Sequence, residues 1–148
     1  MTDSEDAQPG FLFYEAMNLR SREKAVSVSQ PTLGLTEGAD TIRLAKTLYL
    51  LGRGESYETL LDLGTVVMNR VDSPWYPDTV MGVLNQPQQF ACGTLYDDES
   101  LRAARAVMMG ARTLPADVVC YGALDATQPL REDTLFTTSG GYGFYTAQ

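Results

Sequence analysis

Histidine is missing from all 148 residues of the chain. Ser-His and Cys-His nucleophile pairs are excluded with it, and so are most catalytic zinc sites. Carboxylates are left to move protons in any enzymatic reading, and no cofactor is expected. Cysteine occurs only twice, as Cys92 and Cys120. That separation fits neither a zinc site nor a redox pair, so both are read as buried or half-buried free thiols, with a single disulfide as the alternative. Positive charge is also scarce: 11 basic residues against 19 acidic ones give a net charge of −8. Such a chain repels phosphate backbones, and nucleic acid is not an expected partner. The longest apolar runs, Leu48-Tyr-Leu-Leu51 and Val66-Val-Met68, fall far short of the roughly 20 residues that cross a bilayer. No membrane span is expected. The acidic start, Met1 to Asp6, lacks the basic end and apolar core of an export signal, which predicts synthesis in the cytoplasm without a signal peptide.

What remains is an ordinary globular composition, 44% hydrophobic and 20% charged, enough for one core. Residues 1–39 differ from the rest. They hold an acidic tip, an aromatic run around Phe11, Phe13 and Tyr14, and a charged patch from Arg20 to Lys24. They are read as an arm that either packs on its own domain or docks on a protein partner through those three rings.

Residues 40–148 carry the domain. Asp40 is a plausible cap for a helix whose face repeats at Leu44, Leu48 and Leu51 and which stops at Gly52-Arg-Gly54. Ser56 can cap a second helix, with Leu60, Leu63, Val67 and Val71 on one face, running to about Arg70. A short helix with Val80, Val83 and Leu84 follows, closed by Gln86-Pro87. After the loop Gln88 to Tyr96, the acids Asp97, Asp98 and Glu99 suit a helix start, and Leu101, Ala104, Met108 and Ala111 follow at helical spacing. The end loosens into β-like pieces, Val118–Tyr121 and Leu135–Thr138, before Gly140-Gly-Tyr-Gly-Phe-Tyr145. The fold class is α+β, mainly helical with a small C-terminal β region.

The ordered set Leu51-Gly-Arg-Gly-Glu-Ser-Tyr57, Asn69-Arg-Val71, Pro77-Asp-Thr-Val80 and Gln86-Pro-Gln-Gln-Phe90 resembles the SleB-like family of spore-cortex and cell-wall hydrolases. The likeness thins toward Gly143-Phe-Tyr145, which resembles the family's closing motif without its usual histidine. The resemblance implies a lysozyme-like fold in a bacterial setting and cleavage of the glycan strand of peptidoglycan, commonly by lytic transglycosylation. That chemistry needs one carboxylic acid to protonate the glycosidic oxygen and then take a proton back. The family motif is Glu-Ala-Arg-Gly-Glu, with the first glutamate as acid, and Leu51 stands in that place here.

Leucine transfers no proton. The main expectation is therefore a degenerate, inactive relative kept for binding or assembly, such as a component of a phage particle. The alternative is an active glycan-strand hydrolase or lytic transglycosylase with Glu55 as general acid, although Glu55 also reads as a structural partner of Arg53 or of loop amides. For substrate contact the candidates are Arg53, Asn69, Gln89, Phe90, Tyr142 and Tyr145, amides for hydroxyls and rings for sugar faces. Capping for Asn69 and core packing for Phe90 remain the alternatives.

Overall fold

In the computed structural model, residues 38–127 and 130–147 are described. The arm with Phe11, Phe13 and Tyr14 lies outside them. Four helices come first: α1 (Ala39–Leu51), α2 (Tyr57–Asp72), α3 (Val80–Leu84) and α4 (Asp98–Met108). Three strands follow: β1 (Val118–Ala123), β2 (Leu135–Ser139), preceded by a 3-10 turn at Glu132–Thr134, and β3 (Tyr142–Thr146). They form one antiparallel sheet in the order β1-β3-β2, with β3 in the middle. The expected mainly helical α+β architecture is the one observed.

Helix α2 is the axis of the domain. Leu60, Leu63, Val66, Val67 and Met68 are buried on it together with the polar Thr59, Thr65, Asn69 and Arg70. It packs against α1, α3 and α4 on one side and the sheet on the other. A helix surrounded in this way needs no single apolar stripe, and its buried polar groups must find partners instead. Thr65 donates to the Leu61 carbonyl at 2.7 Å and meets Thr113 at 3.0 Å. At Gly64 the side chain of Val107 on α4 approaches so closely that an added Cβ would meet it at 3.2 Å. Glycine there lets the two helices pack tightly.

The helix ends follow the sequence with one exception. Ser56 caps α2 through the Thr59 amide at 3.3 Å. Asp97 and Ser100 cap α4 reciprocally, the Ser100 amide donating to the Asp97 carboxylate at 2.8 Å and the Asp97 amide to Ser100 Oγ at 3.0 Å. These bonds to Ser100 hold the Asp97 carboxyl below its ordinary range. At α1 the cap is Gly38, not Asp40, which lies within the first turn and makes no side-chain cap bond. There its charge still favours the positive helix end. The buried face of α4 is Ser100, Ala103, Ala104 and Val107. Met108 reaches the core only in part and Ala111 is exposed beyond the helix, so the true stripe is rotated from the expected one. Both cysteines are free, with Cys92 exposed and Cys120 half-buried; the expectation that Cys92 is at least half-buried does not hold.

Candidate active site

The loop from Gly52 to Ser56 sets the position of Glu55. Helix α1 stops because Gly52 closes its last turn on the Leu48 carbonyl at 2.8 Å, and Gly54 adopts φ +80°, a conformation natural to glycine. The Glu55 amide then donates to the Gly52 carbonyl at 2.9 Å. This leaves the half-buried Glu55 just ahead of α2, beside the positive end of that helix.

The tip of the β2–β3 hairpin closes over the carboxylate. The Gly141 amide donates to Glu55 Oε2 at 3.2 Å. Gly140 has φ +58° and its Cα lies so close that an added Cβ would overlap Glu55 Oε1. Ser139 Oγ and Thr59 Oγ1 meet at 2.8 Å and tie the tip to the first turn of α2. The next residue, Tyr142, donates its hydroxyl to the Leu51 carbonyl at 2.6 Å. Burial, and then the negative charges of Glu55 and Asp125, push the Tyr142 phenol up. Its proton is held by the Leu51 carbonyl.

From Tyr142 a line of rings leads away. Tyr142 lies 5.9 Å from Tyr121, and Tyr121 stacks on Phe90 at 5.3 Å. The Arg70 guanidinium covers Phe90 at 5.1 Å and Tyr76 at 4.7 Å. Arg70 is only 3% exposed. Its Nε donates to the Val119 carbonyl at 2.6 Å, and its Nη1 to Gln86 Oε1 at 3.0 Å and Gln89 Oε1 at 3.1 Å. With their oxygens held, the two side-chain amides keep their N–H donors for a ligand. Arg70, Tyr76, Gln86, Gln89 and Tyr121 line a groove of about 490 Å³, a size suited to a ligand site, while Phe90 and Tyr142 meet it only through their ring contacts with Tyr121.

Tyr121 anchors this groove through its hydroxyl, which donates to the Gln89 carbonyl at 2.6 Å. Burial is the main cause that pushes its phenol up from 10.0 to about 12, with Tyr142 adding and Arg70 opposing. The unfolded chain therefore loses this proton first, so the contribution to stability is complete below about pH 10 and is lost as the pH rises toward 12. Urea midpoints measured from pH 9 to pH 12 should fall across that window, and Tyr121→Phe should flatten part of the slope. An unchanged slope would show that the phenol is not held in this way.

The other candidates from the sequence separate. Gln89 lines the groove with Arg70, Phe90 lies under the Arg70 guanidinium and against Tyr121, and Tyr142 meets Tyr121. Asn69 is 3% exposed, and its Nδ2 donates to the Pro115 and Val118 carbonyls at 2.8 and 3.0 Å, fastening α2 to β1. Tyr145 is 6% exposed, its ring against Gly143 and Gly122. Arg53 is exposed, 5.2 Å above the Tyr49 ring, and lines a small hollow of about 70 Å³ together with Glu55. The sequence reading did not single out Tyr76, Gln86 or Tyr121 as site residues. Gln86 had been read only as a helix stop, and nothing local marks Tyr121 as opposite Phe90, 31 positions earlier.

A mainly helical domain closed by a small C-terminal sheet is the lysozyme-like architecture, and solved structures share the fold. The catalytic domain of the SleB protein of Bacillus cereus aligns with TM-score 0.64 and 23% identity over 72% of this chain and 89% of that one. The catalytic domain of the germination-specific lytic transglycosylase SleB of Bacillus anthracis aligns with TM-score 0.65 and 21% identity over 78% of this chain and all of that one.

In sequence, residues 54–141 match the model of the Cell Wall Hydrolase family, and the chain belongs to that family. The matched stretch includes Glu55 and begins after Leu51. The spore cortex-lytic enzyme of Bacillus subtilis is 33% identical over 90 residues, 59% of this chain and 29% of that protein. That of Oceanobacillus iheyensis is 32% identical over 84 residues, 53% of this chain and 30% of that protein. The match thus spans less than a third of the length of these relatives.

These comparisons correct the main functional expectation. Leu51 had suggested a degenerate, inactive relative kept for binding or assembly. The relatives are cortex-lytic enzymes and the aligned structures are catalytic domains, which overturns that expectation.

Proposed function

We propose that this domain cleaves the glycan strand of peptidoglycan, with Glu55 as the general acid. The observation that carries the reading is the setting of Glu55: a half-buried carboxylate fixed at 3.2 Å by the Gly141 amide of a hairpin tip whose next residue, Tyr142, reaches Tyr121 of the groove by ring contact. Family membership supports it. Leu51 occupies the place of the family motif's first glutamate, and its side chain packs against the core. Proton transfer then falls to the motif's second glutamate.

In the reaction, protonated Glu55 gives its proton to the glycosidic oxygen as the bond from that oxygen to the anomeric carbon breaks. Positive charge grows on the ring left behind, next to the carboxylate just formed, which stabilises it. Glu55 then takes a proton from the group that attacks the anomeric carbon. If this is the hydroxymethyl group of the same sugar, a 1,6-anhydro product results; if it is water, a reducing end results. The Gly141 amide steadies one carboxylate oxygen throughout. Along the groove, Tyr76 and Tyr121 offer apolar ring surface for the C–H sides of sugars, and the amides of Gln86 and Gln89 offer donors for hydroxyl and acetyl oxygens. A falling turbidity of purified peptidoglycan incubated with the protein is the expected result. A suspension that stays turbid at high protein concentration sinks the reading.

A further inference from the structure

Trp75 is the only tryptophan of the chain, and it is 86% exposed. An indole in water is unusual for a ring that buries so much apolar area when it finds a partner. Its position is nevertheless fixed. It follows the end of α2 in the turn Ser73-Pro-Trp-Tyr-Pro77, its amide donating to Ser73 Oγ at 3.2 Å and the Tyr76 amide to the Ser73 carbonyl at 3.5 Å. Beside it opens a second hollow of about 630 Å³, lined by Trp75, Tyr76, Asp72, Asp117 and Val119. Tyr76 and Ala147 line this hollow and the Arg70 groove alike, so the two are stretches of one trench.

We propose that the Trp75 hollow is a distal subsite of this trench, in which a sugar of the glycan strand stacks on the indole several units from the bond that is cleaved. The proposal rests on the glycan-cleaving reading. The chemistry of the lining selects the occupant. A ring plane suits the C–H face of a pyranose, while the Asp117 carboxylate, and Asp72 through the oxygen not held by Arg112, accept bonds from its hydroxyl and acetamido N–H groups. No basic residue lines the hollow and the chain carries a net charge of −8, so an anionic polymer is repelled. A neutral strand of N-acetylated sugars fits both surfaces, and its length lets it run from the Arg70 groove to Trp75. The site would make binding depend on strand length and hold a long polymer in place between cleavages.

The lone indole is its own reporter. Glu55→Gln protein is titrated with long, uncharged oligomers of N-acetylglucosamine as the strand, and in parallel with the disaccharide alone. Long strands are expected to shift and enhance the tryptophan emission, and the disaccharide to leave it nearly unchanged. By calorimetry, Trp75→Ala and Trp75→Leu should weaken long-strand binding about five- to tenfold, the scale of one aromatic contact, and leave disaccharide binding as it was. Equal long-strand affinity with and without the indole overturns the proposal. So does binding that leaves the emission unaltered, or an emission that already depends on protein concentration without glycan, which would assign the ring to a second copy of the chain. If Glu55→Gln still cleaved strands while the emission responded, the assignment of Glu55 would fail and the Trp75 site would stand.

Discussion

Glu55→Gln should lower the rate of glycan cleavage by about 10²–10⁴-fold, the usual worth of a positioned general acid. Glutamine is nearly isosteric and its side-chain oxygen can still accept from the Gly141 amide, so the loop between α1 and α2 keeps its shape. The melting temperature should move by no more than a few degrees. Initial rates of sugar release, read beside a thermal melt of the same preparation, separate the two effects. A variant that folds and retains the parent rate would remove Glu55 from the mechanism and direct attention to Asp125, the other carboxylate whose charge is felt at Tyr142.

Arg70→Ala should have the largest effect on stability, about 3–4 kcal/mol, in the range seen when buried hydrogen-bonded groups lose their partner. Three acceptors are stranded at once: the Val119 carbonyl and the side-chain oxygens of Gln86 and Gln89. The rings of Tyr76 and Phe90 lose the guanidinium that covers them. Arg70 also sits in the last turn of α2, where a cation suits the helix dipole. Arg70→Lys keeps the charge but lacks the planar fork, so it should fall between the parent and Arg70→Ala. Urea unfolding at neutral pH measures the series. A loss under about 1 kcal/mol for Arg70→Ala would mean that the fork is replaceable by water.

Much of the fold was legible because local chemistry marks it. Ser56 and Asp97 cap the helices assigned to them, and the break at Gly52-Arg-Gly54 is a real helix end. The stripe of α4 was misplaced because alanines and a serine, Ala103, Ala104 and Ser100, form the close-packed face while Leu101 lies at its margin. Hydrophobicity alone ranks these residues in the opposite order. The burial of α2 on nearly every side was equally invisible, since partners for its polar groups come from distant segments: Asn69 reaches the Val118 carbonyl 49 positions later.

The site was half legible. Glu55, Gln89, Phe90 and Tyr142 were picked by residue type and motif. Their arrangement depends on contacts that no window of sequence contains, such as the Tyr142 hydroxyl on the Leu51 carbonyl across 91 positions. Local reading also could not see that Asn69 spends both amide hydrogens on backbone carbonyls. Nor does any window of sequence show that the hairpin tip at Gly140 and Gly141 closes on Glu55.

The measurement that bears most directly on the central claim is mass analysis of the fragments released when the unmodified protein is incubated with purified peptidoglycan. Muropeptides ending in a 1,6-anhydro sugar or in a reducing sugar are predicted, the first by attack of the sugar's own hydroxymethyl group and the second by attack of water. The absence of both, from a preparation shown to be folded and to bind the sacculus, would contradict the assignment of Glu55 as a working acid.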